Sequence, residues 1–429
     1  MNNSFIEDNK ITNKFVESYT KTTYRVIGNH KHTAIKPCHW LEQKLMTGRS
    51  NRNCYKGIFG IESHRCLQNT PSLPFCNHQC VFCWRDIEQG TLGSKFIVEP
   101  DEPKSLIDAM IKHQQDIILN HLPLKRYIDN YEIMIDILYY MLLHGGPHSI
   151  VSLSENIHVS RNKIVRAITL LKNQSFIDPS DESMKYYKLD DEIKNSLDSK
   201  DEIELLINRT LTTPDEIINV HNEALYPNHA AISLDGEPLL FPKISDLVHE
   251  FRNRNMTTFI VTNGTLPNTI SNMDSLPSQL YLTLPAPNEE LYKKICRPMV
   301  KNGWNKIQES LELLDSLSTR TLVRLTAVRN LNLKKEFIDE YIKIIKKANP
   351  NFFEIKGFTL QAKALEIDNR LKEQRPLQDY FPDFDFLNSI AQEFEQKSGF
   401  FIIYRNKPSR DFLFAVNWDK EKDPIITTP

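Results

Sequence analysis

Apolar and polar positions along this chain follow two alternating rhythms. Short runs rich in branched and aromatic residues occur as AAISL (230–234), TTFIVTN (257–263), QLYLTLPA (279–286), RTLVRLTAV (320–328) and NFFEIKGFT (351–359). Between them lie segments with apolar residues at helical spacing, such as KISDLVHEFRNRN (243–255) and WNKIQESLELLDSL (304–317). Strand and helix in regular succession predict βα units and a parallel sheet. Ligands of such sheets sit at the carboxyl ends of the strands, so the residues just after each run are the ones to watch.

Residues 124–204 break this rhythm. NYEIMIDILYYMLLHGG predicts a buried helix stopped by two glycines. Two shorter helices follow, the second with Ile164, Ile168 and Leu171 on one face, and then a β wing at MKYYKLD (184–190). That is the pattern of a winged helix-turn-helix. Segment 160–172 has four Lys/Arg and no acid, although 124–204 as a whole carries ten basic and fourteen acidic residues. Nucleic-acid contact and a structural or protein-docking role are both open for this insert.

Composition narrows the class. The chain has 429 residues, with 53 Lys and Arg against 55 Asp and Glu, which predicts two or three domains of a soluble globular protein. Only 13 glycines occur, which argues against a fold built on repeated glycine-rich phosphate loops. No apolar run is long enough to span a bilayer, and MNNSFIEDNK lacks the basic-then-apolar order of a leader. The expectation is a cytoplasmic protein without membrane contact. Residues 1–60 hold ten Lys/Arg and four Asp/Glu, a basic region that suits a nucleic-acid partner.

Cysteine placement says most. Of seven cysteines, six lie between Cys38 and Cys83, and only Cys296 lies outside. In a reducing compartment such crowding predicts metal ligation rather than disulfides. In CNHQCVFCW, Cys76, Cys80 and Cys83 are spaced C-x-x-x-C-x-x-C. Three thiolates on one short loop suit three irons of a [4Fe–4S] cluster and leave the fourth iron open. A Zn site with His78 or Cys66 as fourth ligand is the plainer alternative, but no second ligand pair follows downstream.

This motif resembles the radical S-adenosylmethionine (SAM) superfamily. The resemblance implies an α/β fold, a partial (β/α) TIM-like barrel, here with a winged-helix-like α+β insert. It also implies that the open iron binds SAM, whose one-electron cleavage yields a 5′-deoxyadenosyl radical. On the family pattern Gly236, Glu237, Thr262, Asn263 and Arg324 contact SAM, with Asp235 standing where the first glycine of a G-G-E motif is usual. The expected parts are an N-terminal extension (1–34), the cluster-binding start of the core (35–123), the insert (124–204), and the rest of the barrel with a C-terminal extension (205–429).

A closer resemblance is carried by YKGIFGIESHRCLQNTPSLPFCNHQCVFCWRD (55–86), AAISLDGEPLLFPKI, FIVTNG, ICRPMVKNGW and FFEIKGFT. These blocks resemble the tRNA 4-demethylwyosine synthase family over roughly residues 35–120 and 210–418. The resemblance implies a carbon–carbon lyase that joins pyruvate to N1-methylguanosine beside the anticodon of tRNA(Phe), giving the tricyclic 4-demethylwyosine of wybutosine biosynthesis. It implies two [4Fe–4S] clusters, the second on Cys38, Cys54 and Cys66. Pyruvate is implied either to bind the open iron of that second cluster through its carboxylate and keto oxygen or to join Lys56 as a Schiff base. The resemblance is to the shorter archaeal-type form without a flavodoxin domain, which implies an external donor such as a flavodoxin or ferredoxin. A monomer is expected. Arg49, Arg52, Arg65, Arg297 and Lys301 are the candidates for phosphate contact. Two rival readings are a radical SAM maturase with an auxiliary cluster acting on a peptide, and a Zn-stabilised winged-helix regulator.

Overall fold

The computed structural model describes residues 5–20, 23–48, 54–87, 90–120, 123–173, 175–180, 186–210 and 214–426. The chain forms two compact units. One comprises Met1–Cys38, Asn53–Asp116 and Leu225–Pro429, and the other His39–Arg52 and Ile117–Ala224.

The first unit is built on one ten-stranded sheet. Its strands are β1 (Arg25–Ile27), β2 (Thr33–Ile35), β3 (Cys66–Thr70), β4 (His229–Ile232), β5 (Thr257–Thr262), β6 (Gln279–Thr283), β7 (Arg320–Ala327), β8 (Phe352–Gly357), β9 (Phe401–Asn406) and β10 (Asp411–Ala415). They lie in the order β9-β10-β8-β7-β6-β5-β4-β3-β2-β1. Strands β3 to β8 are parallel throughout. The pairs β2–β3 and β8–β10 are antiparallel and flank that parallel set. The five apolar runs read from the sequence are β4 to β8. CLQNT, the first parallel strand, is too polar to stand out.

Helices cover the outside because each has one apolar stripe. Ile338–Ala348 buries Ile338, Tyr341, Ile342 and Ile345 at three- and four-residue spacing and ends on Asn349 at φ 44°. Inside, Cys66, Ala231, Phe259, Tyr281, Leu322 and Phe352 contribute one residue from each parallel strand to a shared layer. This layer fills the interior and leaves the carboxyl ends of the strands as the place for a ligand. Residues before β2 belong to the same unit. Phe15, Tyr19 and Tyr24 pack with Leu73, Phe75 and Leu234.

In the second unit, helix Pro123–His144 stops at Gly145 and Gly146, which take φ of 56° and 71°. Strand His148–Ser149, helices Ile150–Asn156 and Arg161–Asn173, and strands Ile177–Pro179 and Tyr186–Leu189 follow, an order that a winged helix-turn-helix takes. Tyr186–Leu189 is the middle strand of a three-stranded antiparallel sheet. Ile164, Ile168 and Leu171 face a core shared with Met134, Leu138 and Leu153. Met184 and Lys185 of the expected wing lie outside the described residues. Among the described residues no helix is long and apolar enough to cross a membrane.

Candidate functional site

A cavity of about 400 Å³ opens at the carboxyl ends of the parallel strands of the first unit. Cys76, Cys80 and Cys83 line it, as do Gly236, Glu237, Thr262, Asn263 and Arg324. The structure therefore brings together residues that the sequence spreads over almost 250 positions. Lys56 and the upstream cysteines are not part of this lining; Tyr55, beside Lys56, is.

The cysteine loop leaves β3 without regular structure, so its backbone groups need partners from elsewhere. Gln79 N donates to Cys296 O at 2.9 Å and Val81 N to Ile295 O at 2.9 Å. Arg297 Nε donates to Gln79 O at 2.8 Å. Arg370 donates to the carbonyls of Val81, Cys83 and Arg85 at 3.3, 2.7 and 3.2 Å. The ICR segment and two arginines thus seat the loop.

All three loop cysteines are free thiols. Burial pushes Cys76 up to about 12 and Cys83 up to about 11, with the buried Arg85 guanidinium opposing both. Cys80 is raised well above the ordinary thiol value by its hydrogen bond to Cys296 and by burial. Ligand atoms of His78, Cys80 and Cys296 lie within 4.8 Å of one another, and His78 Nε2 shares a hydrogen bond with the Tyr292 hydroxyl at 2.8 Å. The three loop thiols, beside the buried Arg85, are the donor type that fits an iron–sulfur cluster.

The carboxylate of Glu237 organises the adjoining wall. It accepts from Leu239 N at 3.1 Å, Thr262 Oγ1 at 2.7 Å and Asn263 N at 2.8 Å. Asn263 Nδ2 continues to Asn77 Oδ1 at 2.7 Å, within the cysteine loop. Gly236 has φ 75°, and a Cβ there would stand 2.1 Å from Ser72 O, so the turn admits only glycine.

Beneath lies a second group. Cys54 caps the short helix Tyr55–Phe59, its sulfur accepting from Lys56 N at 3.5 Å. Burial raises Cys54 to about 11, and the Cys38 thiol adds to that push. Burial likewise raises Cys66 to about 11, with Cys54 adding and Lys56 opposing. These three sulfurs therefore form a neighbourhood that includes Lys56. The Lys56 ammonium is buried, with Nζ 5.1 Å from the ring centre of Phe259, 5.6 Å from Tyr281 and 5.8 Å from Tyr55. Burial lowers its pKa, and Arg324 lowers it further against the opposing thiols.

Arg324 faces this lower group too. Register places it directly beside Glu354, whose carboxylate accepts from its Nε. Its Cζ lies 4.6 Å from the ring centre of Tyr281 and 4.9 Å from Tyr55. The family pattern assigns Arg324 to SAM. The strand register instead pairs it with Glu354, the lone acid of NFFEIKGFT, because a guanidinium and a carboxylate buried on neighbouring strands need each other. Tyr55, Tyr281, Asn77 and Arg370 carried no signal in the sequence.

Of the phosphate-contact candidates, Arg49 and Arg52 lie outside the described residues. Arg65 pairs with Glu62 at 3.2 Å and bonds Tyr226 O, whereas Arg297 braces the cysteine loop. Lys301 is exposed.

A family model of the radical SAM superfamily matches residues 204–348. The S-adenosyl-L-methionine-dependent tRNA 4-demethylwyosine synthase of Pyrococcus horikoshii is 34% identical over 346 residues, covering 80% of this chain and 73% of its own. The chain belongs to the tRNA 4-demethylwyosine synthase family. Membership implies a [4Fe–4S] cluster, SAM and a tRNA substrate. The mouse synthase is 28% identical over 97% of this chain, which spans 45% of the mouse protein. A solved structure of TYW1 with a lysine–pyruvate adduct bound superposes with a TM-score of 0.62 at 22% identity, covering 97% of this chain and 99% of that one. An archaeal TYW1 crystal structure gives 0.58 at 22%, with the same coverage. At that identity these two carry the fold alone.

Proposed function

We propose that this chain converts N1-methylguanosine beside the anticodon of tRNA(Phe), with pyruvate, into 4-demethylwyosine. The observation that carries the reading is the pairing of two cysteine trios within one unit. One trio lines the cavity at the strand ends, and the other adjoins a buried lysine.

Cys76, Cys80 and Cys83 would hold the cluster that binds SAM, and Cys38, Cys54 and Cys66 a second [4Fe–4S] cluster. When bound, the clusters and SAM supply the electron and the radical that removes hydrogen from the substrate methyl group. The protein's own part is positioning. The turn at Gly236 and the network of Glu237, Thr262 and Asn263 shape the SAM end of the cavity. Lys56, kept from water and pushed toward the neutral amine, attacks the ketone carbon of pyruvate, and water leaves as the imine forms. Aromatic walls at Tyr55 and Phe82 receive a base drawn out of the anticodon stack. The exposed Lys301 would contact RNA phosphates, with Arg65 joining it on release from Glu62, and an external flavodoxin or ferredoxin delivers the electrons.

The test is incubation with SAM, reductant, pyruvate and tRNA bearing N1-methylguanosine, followed by mass analysis of the nucleosides. The tricyclic base should appear only when pyruvate is present. Product that forms equally well without pyruvate would refute the reading.

A further inference from the structure

Two hydrogen-bond donors beside Lys56 have no acceptor among the described residues. Tyr281 is fully buried, and its hydroxyl Oη has no hydrogen-bond partner. Arg324 is 8% exposed; Glu354 takes its Nε, yet its Nη2 is buried and unpartnered. Other charges nearby are committed, since Lys356 Nζ pairs with Asp411 at 3.2 Å while lying 3.8 Å from the Tyr55 ring centre. Burying a phenol and a guanidinium edge without an acceptor is costly, and native structures rarely tolerate it without a functional reason.

The two donors and the lysine share one aromatic frame. Arg324 Cζ and Lys56 Nζ lie 4.6 and 5.6 Å from the ring centre of Tyr281, and 4.9 and 5.8 Å from that of Tyr55. Arg324 and Tyr55 also line the cavity, so the guanidinium borders both the opening at the strand ends and the surroundings of Lys56. A carboxylate offers the planar pair of acceptors that a guanidinium edge and a phenol can fill together.

We propose that Arg324 Nη2 and Tyr281 Oη bind the carboxylate of the α-keto acid whose ketone condenses with Lys56. This rests on the reading of Lys56 given above, and it moves Arg324 from the SAM carboxylate to the keto acid. The pair explains selectivity for an acid over a neutral ketone. In the condensation the lysine nitrogen bonds to the ketone carbon, and the ketone oxygen leaves as water. The carboxylate takes no part in the bond changes and serves as the handle.

The test uses the reconstituted full chain with pyruvate or its methyl ester, adding borohydride to reduce the imine to a stable amine and locating it by peptide mass. Trapped adduct is followed against ketone concentration for the unaltered chain, Tyr281→Phe and Arg324→Gln. Each substitution should raise the half-saturating pyruvate concentration by about 10- to 100-fold, the worth of a hydrogen bond to a charged group. The preference for pyruvate over its ester should collapse by a similar factor. Unaltered preference in both variants would overturn the proposal while leaving Lys56 in place. Parallel loss of both ketones, with preference kept, would also overturn it and make the pair structural. No adduct on Lys56 in the unaltered, product-forming chain would remove the underlying reading instead.

Discussion

Arg370 donates to the carbonyl oxygen of Cys83 at 2.7 Å, tying the last cysteine of the loop to a helix almost 290 residues later. The same guanidinium reaches Val81 O and Arg85 O, and its side chain is only 6% exposed. The loop's shape is therefore held by a residue far outside the loop. Arg370→Ala should leave three carbonyls unsatisfied and loosen the loop. On the two-cluster proposal its iron after anaerobic reconstitution should fall by about half, the loss of one cluster of two. Undiminished iron and SAM binding would show that the arginine brace is dispensable.

Gly236→Ala should be more damaging than its size suggests. The added Cβ meets Ser72 O at 2.1 Å and Phe75 O at 2.7 Å, in a turn already at φ 75°. A stability loss of about 3 kcal/mol is expected, since strain and a backbone clash combine. Denaturant unfolding measures that loss, and calorimetry should show weakened SAM binding in the folded fraction.

Lys56→Arg keeps a positive charge but lacks an amine able to form an imine. Product formation should fall by about 10³-fold or more, as when a covalent nucleophile is removed. Single-turnover assays read by nucleoside mass check this. Product at the original rate would strip Lys56 of its role.

Stability should carry an acid limb traceable to Asp101. Burial opposes its ionisation, but bonds from His32 and from the backbone and ring of His30 win, holding it at about 2 against an ordinary value of 3.8. The unfolded chain therefore binds more protons than the native one between those values. The stabilisation is complete above about pH 4 and is lost as pH falls toward 2. Asp101→Asn should be less stable at neutral pH and show a shallower decline across that window. Urea unfolding at about pH 3 and about pH 7 measures both slopes.

Periodicity made β4 to β8 legible because their apolar residues are buried on both faces. β3 was not legible. Cys66 joins the interior layer and Gln68 lines the cavity, so polar residues at inward positions hide the strand. The pair β9 and β10 was missed for another reason: an antiparallel hairpin after the last helix breaks the βα rhythm. At the site, the cysteine spacing was visible at once, whereas Lys56 stood out only through family resemblance. Tyr281 could not be chosen from the sequence, since an aromatic in a buried strand is ordinarily core. Its orphaned hydroxyl is a property of three-dimensional neighbours.

Under the proposed function, six cysteines hold two separate clusters. Iron and acid-labile sulfide should be counted after anaerobic reconstitution, in the unaltered chain and in Cys38→Ala. About eight of each are expected in the unaltered chain, and about four of each once the second trio is broken. About four irons in the unaltered chain, or a single tetrahedral zinc, would contradict it.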